Sequence, residues 1–339
     1  MNSILCARQF CSAIVEITVG DIVKQGKTVS IVHPTDSRFS LNGLIGKKIR
    51  ENSNLVELKD ACSKLPPLQT GEVAITKSFG LIASSIIHCK APKKGDRGEQ
   101  DLLRLAYANV LEVADKSGED TVAIPALSAG GGGLSIETSA AMAIEAIKDM
   151  GPSFSKLRKV RFVLQDADSA DVFSKELMKQ PSLPEGWERF NFLNKYSKMD
   201  FEAMRCGVLG DWDSKWFAYY EEPWLLIYRG NRRYGECFYA FRLPQVNQQS
   251  DSLLEMEDAW CSASFSEIRV THAQDVLDLI FGLVSLVDDK GVHYLSGAKL
   301  WKKYQKIVMA LENKMISALE ARRLAAELLA MADELERGS

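Results

Sequence analysis

Up to about residue 180, short apolar runs alternate with longer stretches in which apolar positions recur every three or four residues. Runs at 13–19, 29–33, 73–76, 85–89, 121–125 and 159–164 have the length of buried strands. The apolar N-terminal residues are interrupted by Arg8 and soon followed by Glu16, so they read as a first strand rather than a cleaved leader. Helical spacing predicts helices at 43–51, 99–117, 135–150 and 170–178. In the third, Ala140, Ile144 and Ile147 share a face and Ser135 supplies the cap. Alternation of this kind predicts an α/β unit: a mostly parallel sheet with helices on both sides.

The pattern changes near residue 180. All six tryptophans lie beyond it, and the segment Gln180-Pro-Ser-Leu-Pro-Glu-Gly186 has linker chemistry. Aromatic-rich runs at 215–220, 224–229 and 236–243 predict an antiparallel meander. An amphipathic helix follows at 273–288, carrying Val276, Leu279, Ile280 and Leu283 on one face. From 299 to 337, Ile307, Leu311, Met315 and Leu319 fall in rough heptad register and predict a long helix. Its stripe would seal its own domain, a dimer partner or another protein. The expected organisation is therefore 1–180, a smaller Trp-rich α+β domain at 181–292, and a helical segment at 293–339.

Composition narrows the function. A chain of 339 residues with 46% hydrophobic content can bury two cores, and its net charge of −3 offers no nucleic-acid platform. Seven cysteines stand singly, without metal-ligand spacing, so neither a zinc site nor a disulfide framework is expected, and a reducing compartment such as the cytoplasm fits best. No apolar stretch approaches the ~20 residues that a membrane span needs.

The junction with most chemical content is Pro125-Ala-Leu-Ser-Ala-Gly-Gly-Gly-Gly-Leu-Ser135, between an apolar run and a helix. Glycines there let the backbone approach a ligand and turn N–H groups toward it, and the helix terminus favours phosphate. No Lys-Ser or Lys-Thr follows, so this is not a Walker loop, and Ser135 stands where a Rossmann fingerprint needs its third glycine. A second such loop is Asn42-Gly43-Leu44-Ile45-Gly46, just before a helix. Gly20-Asp21-Ile22 ends the strand at 13–19, where an acid can meet an adenine amino group. Asp36 can reach ribose hydroxyls, whereas His33 and His88 end apolar strands and read as core residues.

In order, Gly-Asp-Ile, Val-His-Pro-Thr-Asp with Asn-Gly, Thr-Gly-Glu-Val-Ala-Ile-Thr, Ile-Ile-His-Cys, the four glycines and Phe-Val-Leu-Gln-Asp166 resemble the macrodomain family over about residues 12–180. The wording is most similar to the macro-histone type. The resemblance implies a three-layer α/β/α fold with a mixed, mostly parallel sheet and an ADP-ribose site at its carboxyl edge. It places Asp21 and Ile22 at the adenine, with Phe162 or Asp166 bordering that pocket. Asn42, Gly43, Leu44, Ile45 and Gly46 would hold one side of the diphosphate. Ser128, Ala129, Gly130, Gly131, Gly132, Gly133 and Leu134 would wrap the other, and Asp36 would face the distal ribose. No cofactor or metal is implied beyond the ligand itself. The expected partner is ADP-ribose, free or attached to a protein or nucleic acid, with the C-terminal half serving contact or oligomerisation.

Hydrolytic relatives carry Asn-x-x-Asn where this chain has His33-Pro-Thr-Asp36, and an acid in the loop where Gly46 stands. Binding is the primary expectation. The alternative is hydrolysis of ADP-ribosyl groups, or deacetylation of O-acetyl-ADP-ribose, with Asp36 as the candidate catalytic residue. A faint likeness of Trp224-Leu-Leu-Ile-Tyr-Arg229 to an ADP-ribosyltransferase strand is undercut because Glu255-Met-Glu257 precedes Ser262-Ala-Ser264, the wrong order for that class.

Overall fold

The computed structural model describes residues 4–27 and 29–181, then 186–192, 194–196, 198–208, 216–229, 236–245, 254–262 and short pieces between 273 and 295. The chain divides into two compact units, Met1–Pro181 and Ser182–Ser339.

The first unit holds a seven-stranded sheet. Its strands are β1 (Ile4–Phe10), β2 (Ala13–Val19), β3 (Val29–Pro34), β4 (Val73–Lys77), β5 (Ser85–Cys89), β6 (Thr121–Ile124) and β7 (Lys159–Leu164). They lie in the order β4-β5-β3-β6-β7-β2-β1. The five central strands are mutually parallel, while β4 and β1 close the ends antiparallel, so the sheet is mixed. Strands buried on both faces need apolar residues at every position, and β6 is buried throughout.

Helices cover both faces. On one side lie α1 (Gly43–Asn52) and α2 (Leu55–Ser63), whose Ile49, Leu58 and Cys62 join a core with Ile31, Ile86 and Val163. On the other pack α3 (Glu99–Ser117), α4 (Ile136–Met150) and α5 (Ala167–Leu177). The architecture is the expected α/β/α sandwich. Ser135 caps α4 by accepting the Thr138 N–H, as expected from the sequence.

In the first unit, two helices differ from the sequence reading. Helix α2 was not anticipated, although Asn54 caps it by accepting the Glu57 N–H and donates its side-chain amide to the Glu57 carboxylate. Its two apolar contacts, Leu58 and Cys62, are too few to register as a period. Helix α5 starts before residue 170, because Asp166 accepts the Ser169 N–H at 2.7 Å and begins the helix there.

In the second unit, Trp216–Glu221, Trp224–Arg229, Glu236–Arg242 and Asp258–Ser262 run antiparallel in succession, with Trp187–Arg189 beside the last. Their core includes Tyr220, Ile227, Phe241, Val276 and Ile280. The helix expected over 273–288 does not reach its expected end, because Ser285–Val287 is a strand paired antiparallel with His293–Leu295, which also displaces the helical segment expected from 293. The helix expected over 299–337 lies outside the described residues. Among the described residues, no helix is long and apolar enough to cross a membrane.

Candidate functional site

Parallel strands deliver their carboxyl ends to one edge, where open α/β sheets bind ligands. In the first unit this edge holds a cleft of about 1020 Å³. It passes over the ends of β2, β7, β6, β3 and β5 in that order, from Gly20 and Ile22 to Lys90 and Lys93. Four inter-strand steps of about 4.8 Å make it about 19 Å long.

Two walls face each other across the middle. One is the start of α1, whose cap residue Asn42 makes no side-chain capping bond. The N–H groups of the first helical turn therefore stay open toward Gly43, Leu44 and Ile45, all of which line the cleft. The other wall is the glycine loop after β6, with Ser128, Ala129, Gly130, Gly131 and Gly132 in the lining.

The four glycines have different reasons for being glycine. Gly133 lies in the left-handed region at φ +76°, and its N–H donates to the Gly130 carbonyl at 3.0 Å. A Cβ on Gly132 would stand 2.6 Å from the Ser128 carbonyl oxygen, so only glycine lets the loop fold so tightly. Gly130 and Gly131 would accept a Cβ into open space. Leu134 donates its N–H to the Ser128 carbonyl at 3.0 Å. Among the described residues, nothing accepts a hydrogen bond from the N–H groups of Ala129 to Gly132. The open donors of the loop are therefore the first three glycines and Ala129; Gly133 and Leu134 close it from behind.

The loop is anchored from below and from the side. The buried Tyr107 hydroxyl accepts the Leu127 N–H at 2.8 Å and meets the Ser139 hydroxyl at 2.7 Å, and Ser139 donates to the Leu127 carbonyl at 2.8 Å. From the side comes the segment after β5. Its Pro92 carbonyl accepts the Ser128 hydroxyl at 2.6 Å, and the Lys94 N–H donates to the Gly132 carbonyl at 2.8 Å. Sequence reading missed Tyr107 and Ser139, because buried hydroxyls on helices carry no local signature.

Asp36 lines the cleft, and its Oδ1 accepts the N–H groups of Arg38 at 2.9 Å and Ser40 at 3.1 Å. Burial alone would raise this carboxyl. The Ser40 hydroxyl and N–H and the Arg38 N–H outweigh it and hold the acid below its usual range. Asp36 is thus ionised and organises the loop that leads into α1. Beneath it, His33 Nδ1 lies 3.1 Å from His88 Nδ1, and His88 Nε2 lies 3.0 Å from the Thr76 hydroxyl, which donates to the Lys77 carbonyl. Burial lowers His33 to about 4, against a raising influence from Asp36; burial and then His33 lower His88 to about 3. The pair is a neutral structural relay, as its position at the ends of apolar strands suggested. With His33 donating to His88 and His88 to Thr76, only the His33 Nε2 lone pair is left without a partner, the lesser penalty.

At the other end, Ile22, Gln165 and Asp166 line the cleft. Asp21, expected in the site, adjoins Ile22 but does not itself line the cleft; it accepts the Val23 N–H at 3.2 Å and pairs with Lys48 at 3.2 Å. Two further expectations need correction. Phe162 is fully buried on the opposite face of the sheet between Tyr107 and Phe173, so it cannot border the cleft; the neighbouring Val163 does. Gly46 does not line the cleft either. A Cβ there would stand 2.5 Å from the Leu41 carbonyl carbon, so this glycine serves close packing of α1 on the preceding backbone. Lys48, Lys90 and Lys93 were missed as lining residues. The Lys-Ala-Pro-Lys-Lys run directly after a strand was the available signal.

Comparison with known proteins finds the same family that the sequence motifs resemble. The macro domain family profile matches residues 32–143. A macro domain-containing protein of Chlorobaculum tepidum is 35% identical over 123 residues, covering 36% of this chain and 72% of that protein. The O-acetyl-ADP-ribose deacetylase of Escherichia fergusonii is 28% identical over 172 residues, 49% of this chain and 96% of that protein. Among solved structures, the Oceanobacillus iheyensis macrodomain with MES bound is 26% identical, spans 52% of this chain and 96% of that one, and has a TM-score of 0.48.

Proposed function

The chain belongs to the macro domain family, and on that premise we propose that its cleft binds ADP-ribose, free or attached to a macromolecule. The observation that carries the proposal is the pair of facing walls of unspent N–H groups, from the start of α1 and from Ala129 to Gly132. Such donors suit a diphosphate lying between them. The adenine then lies over the ends of β2 and β7, near Asp21, Ile22 and Asp166, and the distal ribose over β3 and β5, near Asp36. Titration calorimetry with ADP-ribose tests this: saturable binding is expected, and no heat at millimolar ligand overturns it.

A second reading is hydrolysis, favoured by the name of the Escherichia fergusonii relative and by an ionised carboxylate on the cleft wall. In that reaction a water oxygen bonds to the distal ribose carbon, or to an acetyl carbon, as the attached group leaves, and a base takes the water's proton. Asp36 has the place for this role, but its low pKa makes it a weak base. Asp36→Asn keeps an oxygen for the Arg38 and Ser40 N–H groups and removes the charge. If the protein is a hydrolase through Asp36, this variant binds ADP-ribose as before and releases none from a modified substrate. Equal turnover in both proteins removes Asp36 from the chemistry, and no turnover in either leaves a binding module. The second unit, with its own core, supplies partner contact or self-association in this reading, which light scattering of the purified chain checks.

A further inference from the structure

The segment after β5 carries Lys90, Lys93, Lys94 and Arg97 within eight residues. Lys90 and Lys93 line the β5 end of the cleft, and Lys94 is bonded through its backbone to the glycine loop. The two acids beside these cations are each bonded to backbone of the same segment, and Asp96 is exposed at the cleft wall with Lys93. Asp96 accepts the Lys93 N–H at 2.8 Å, and Glu99 accepts the Gly95 N–H at 2.6 Å. Among the described residues none of the four cations has a carboxylate partner. In a chain of net charge −3, this is a local concentration of unpaired positive charge at one end of a binding cleft.

We propose that residues 90–97 form a docking arm for an acidic protein segment, the stretch of a modified protein that flanks its ADP-ribosylated residue. This rests on the ADP-ribose reading above. With the adenine over β2 and β7, the ligand runs toward β5, and the attachment point of the modified chain emerges beside the arm. Glu and Asp side chains flanking that point meet Lys93, Lys94 and Arg97 at the mouth. A protein segment fits better than a nucleic acid, because residues 90–98 contain no aromatic side chain on which a base could stack. The short reach of the arm also matches a few carboxylates better than a long phosphate backbone.

The test uses the full chain and three ligands: free ADP-ribose and two peptides bearing ADP-ribose through the same hydrolysis-resistant bond. One peptide has Glu and Asp around the modification and the other has Gly and Ser. At low salt the acidic peptide is expected to bind about tenfold tighter than the neutral one, as a few exposed ion pairs would give. The advantage shrinks at high salt. In Lys94→Ala/Arg97→Ala the advantage falls to about twofold or less, while free ADP-ribose binds as in the parent, since neither side chain lines the cleft. Equal affinity for the two peptides, or a preference untouched by the double variant, overturns the arm and leaves the cleft reading intact. Failure of free ADP-ribose to bind overturns both. Tighter binding of an ADP-ribosylated oligonucleotide than of the acidic peptide, lost in the double variant, overturns the protein partner in favour of a nucleic acid.

Discussion

Gly131 and Gly132 are neighbours with opposite tolerances. A methyl group on Gly131 enters open space, whereas on Gly132 it meets the Ser128 backbone at 2.6 Å. Gly132→Ala is expected to lower stability by about 1–3 kcal/mol, the usual cost of overpacking, because the clash is with backbone that cannot rotate away. Gly131→Ala should leave the melting temperature within a degree or two and weaken ADP-ribose binding, because the added methyl stands where the ligand's phosphate must approach. Thermal denaturation and calorimetry on both variants separate the two effects. The buried histidine pair supplies the pH dependence. In the unfolded chain both rings titrate near 6.5, but in the fold they are lowered to about 4 and about 3. Between those limits the unfolded chain takes up protons that the folded one refuses. The stability contributed by neutral His33 and His88 is complete above 6.5 and is lost as pH falls. Urea unfolding at pH 7.5 and pH 4.5 should differ by on the order of 5 kcal/mol, and His88→Gln should flatten that slope. A pH-independent stability across this interval would contradict the relay.

At the scale of elements, the binding loop depends on a helix that never touches the cleft. Helix α3 places Tyr107 under the end of β6, where its hydroxyl holds the last residue before the glycine loop. Tyr107→Phe keeps the ring and strands the Leu127 N–H, which costs about 1–3 kcal/mol. It should also speed amide exchange at Gly130 to Gly132, a change that a uniformly destabilised control of equal melting temperature would not show. This support was hidden in the sequence, because a Tyr on a helix face looks the same whether it packs or anchors. The strands were legible, since parallel strands buried on both faces write continuous apolar runs such as Val122-Ala-Ile124. So was the start of α4, where Ser135 follows the glycines as a cap. Helix α2 was not legible, because two and a half turns leave too little period. Gly46 misled in a different way: it reads as a missing acid, whereas Leu41 leaves no room for any side chain.

For the whole molecule, the cleft belongs entirely to the first unit: every residue lining it lies between Gly20 and Ser169. Its placement was readable because six short motifs occur in the right order over one domain, although none is specific alone. The sense of each residue within the cleft was less readable. Whether Phe162 points toward ligand or core depends on which face of the sheet carries the cleft, and the alternation of β7 (Val160, Phe162 and Leu164 against Lys159, Arg161 and Val163) does not say which. The line of strand ends orders the ligand from adenine to distal ribose, and the free cations after β5 then fall where a modified chain would leave. The histidine relay has one further use. The proton shared by His33 and His88 is shut away from solvent between two neutral rings, in a chain with only four histidines. Such a proton exchanges slowly and resonates far downfield in a nearly empty region of the spectrum. The floor under Asp36 therefore carries its own magnetic resonance label, and filling the cleft can be followed there without attaching a probe.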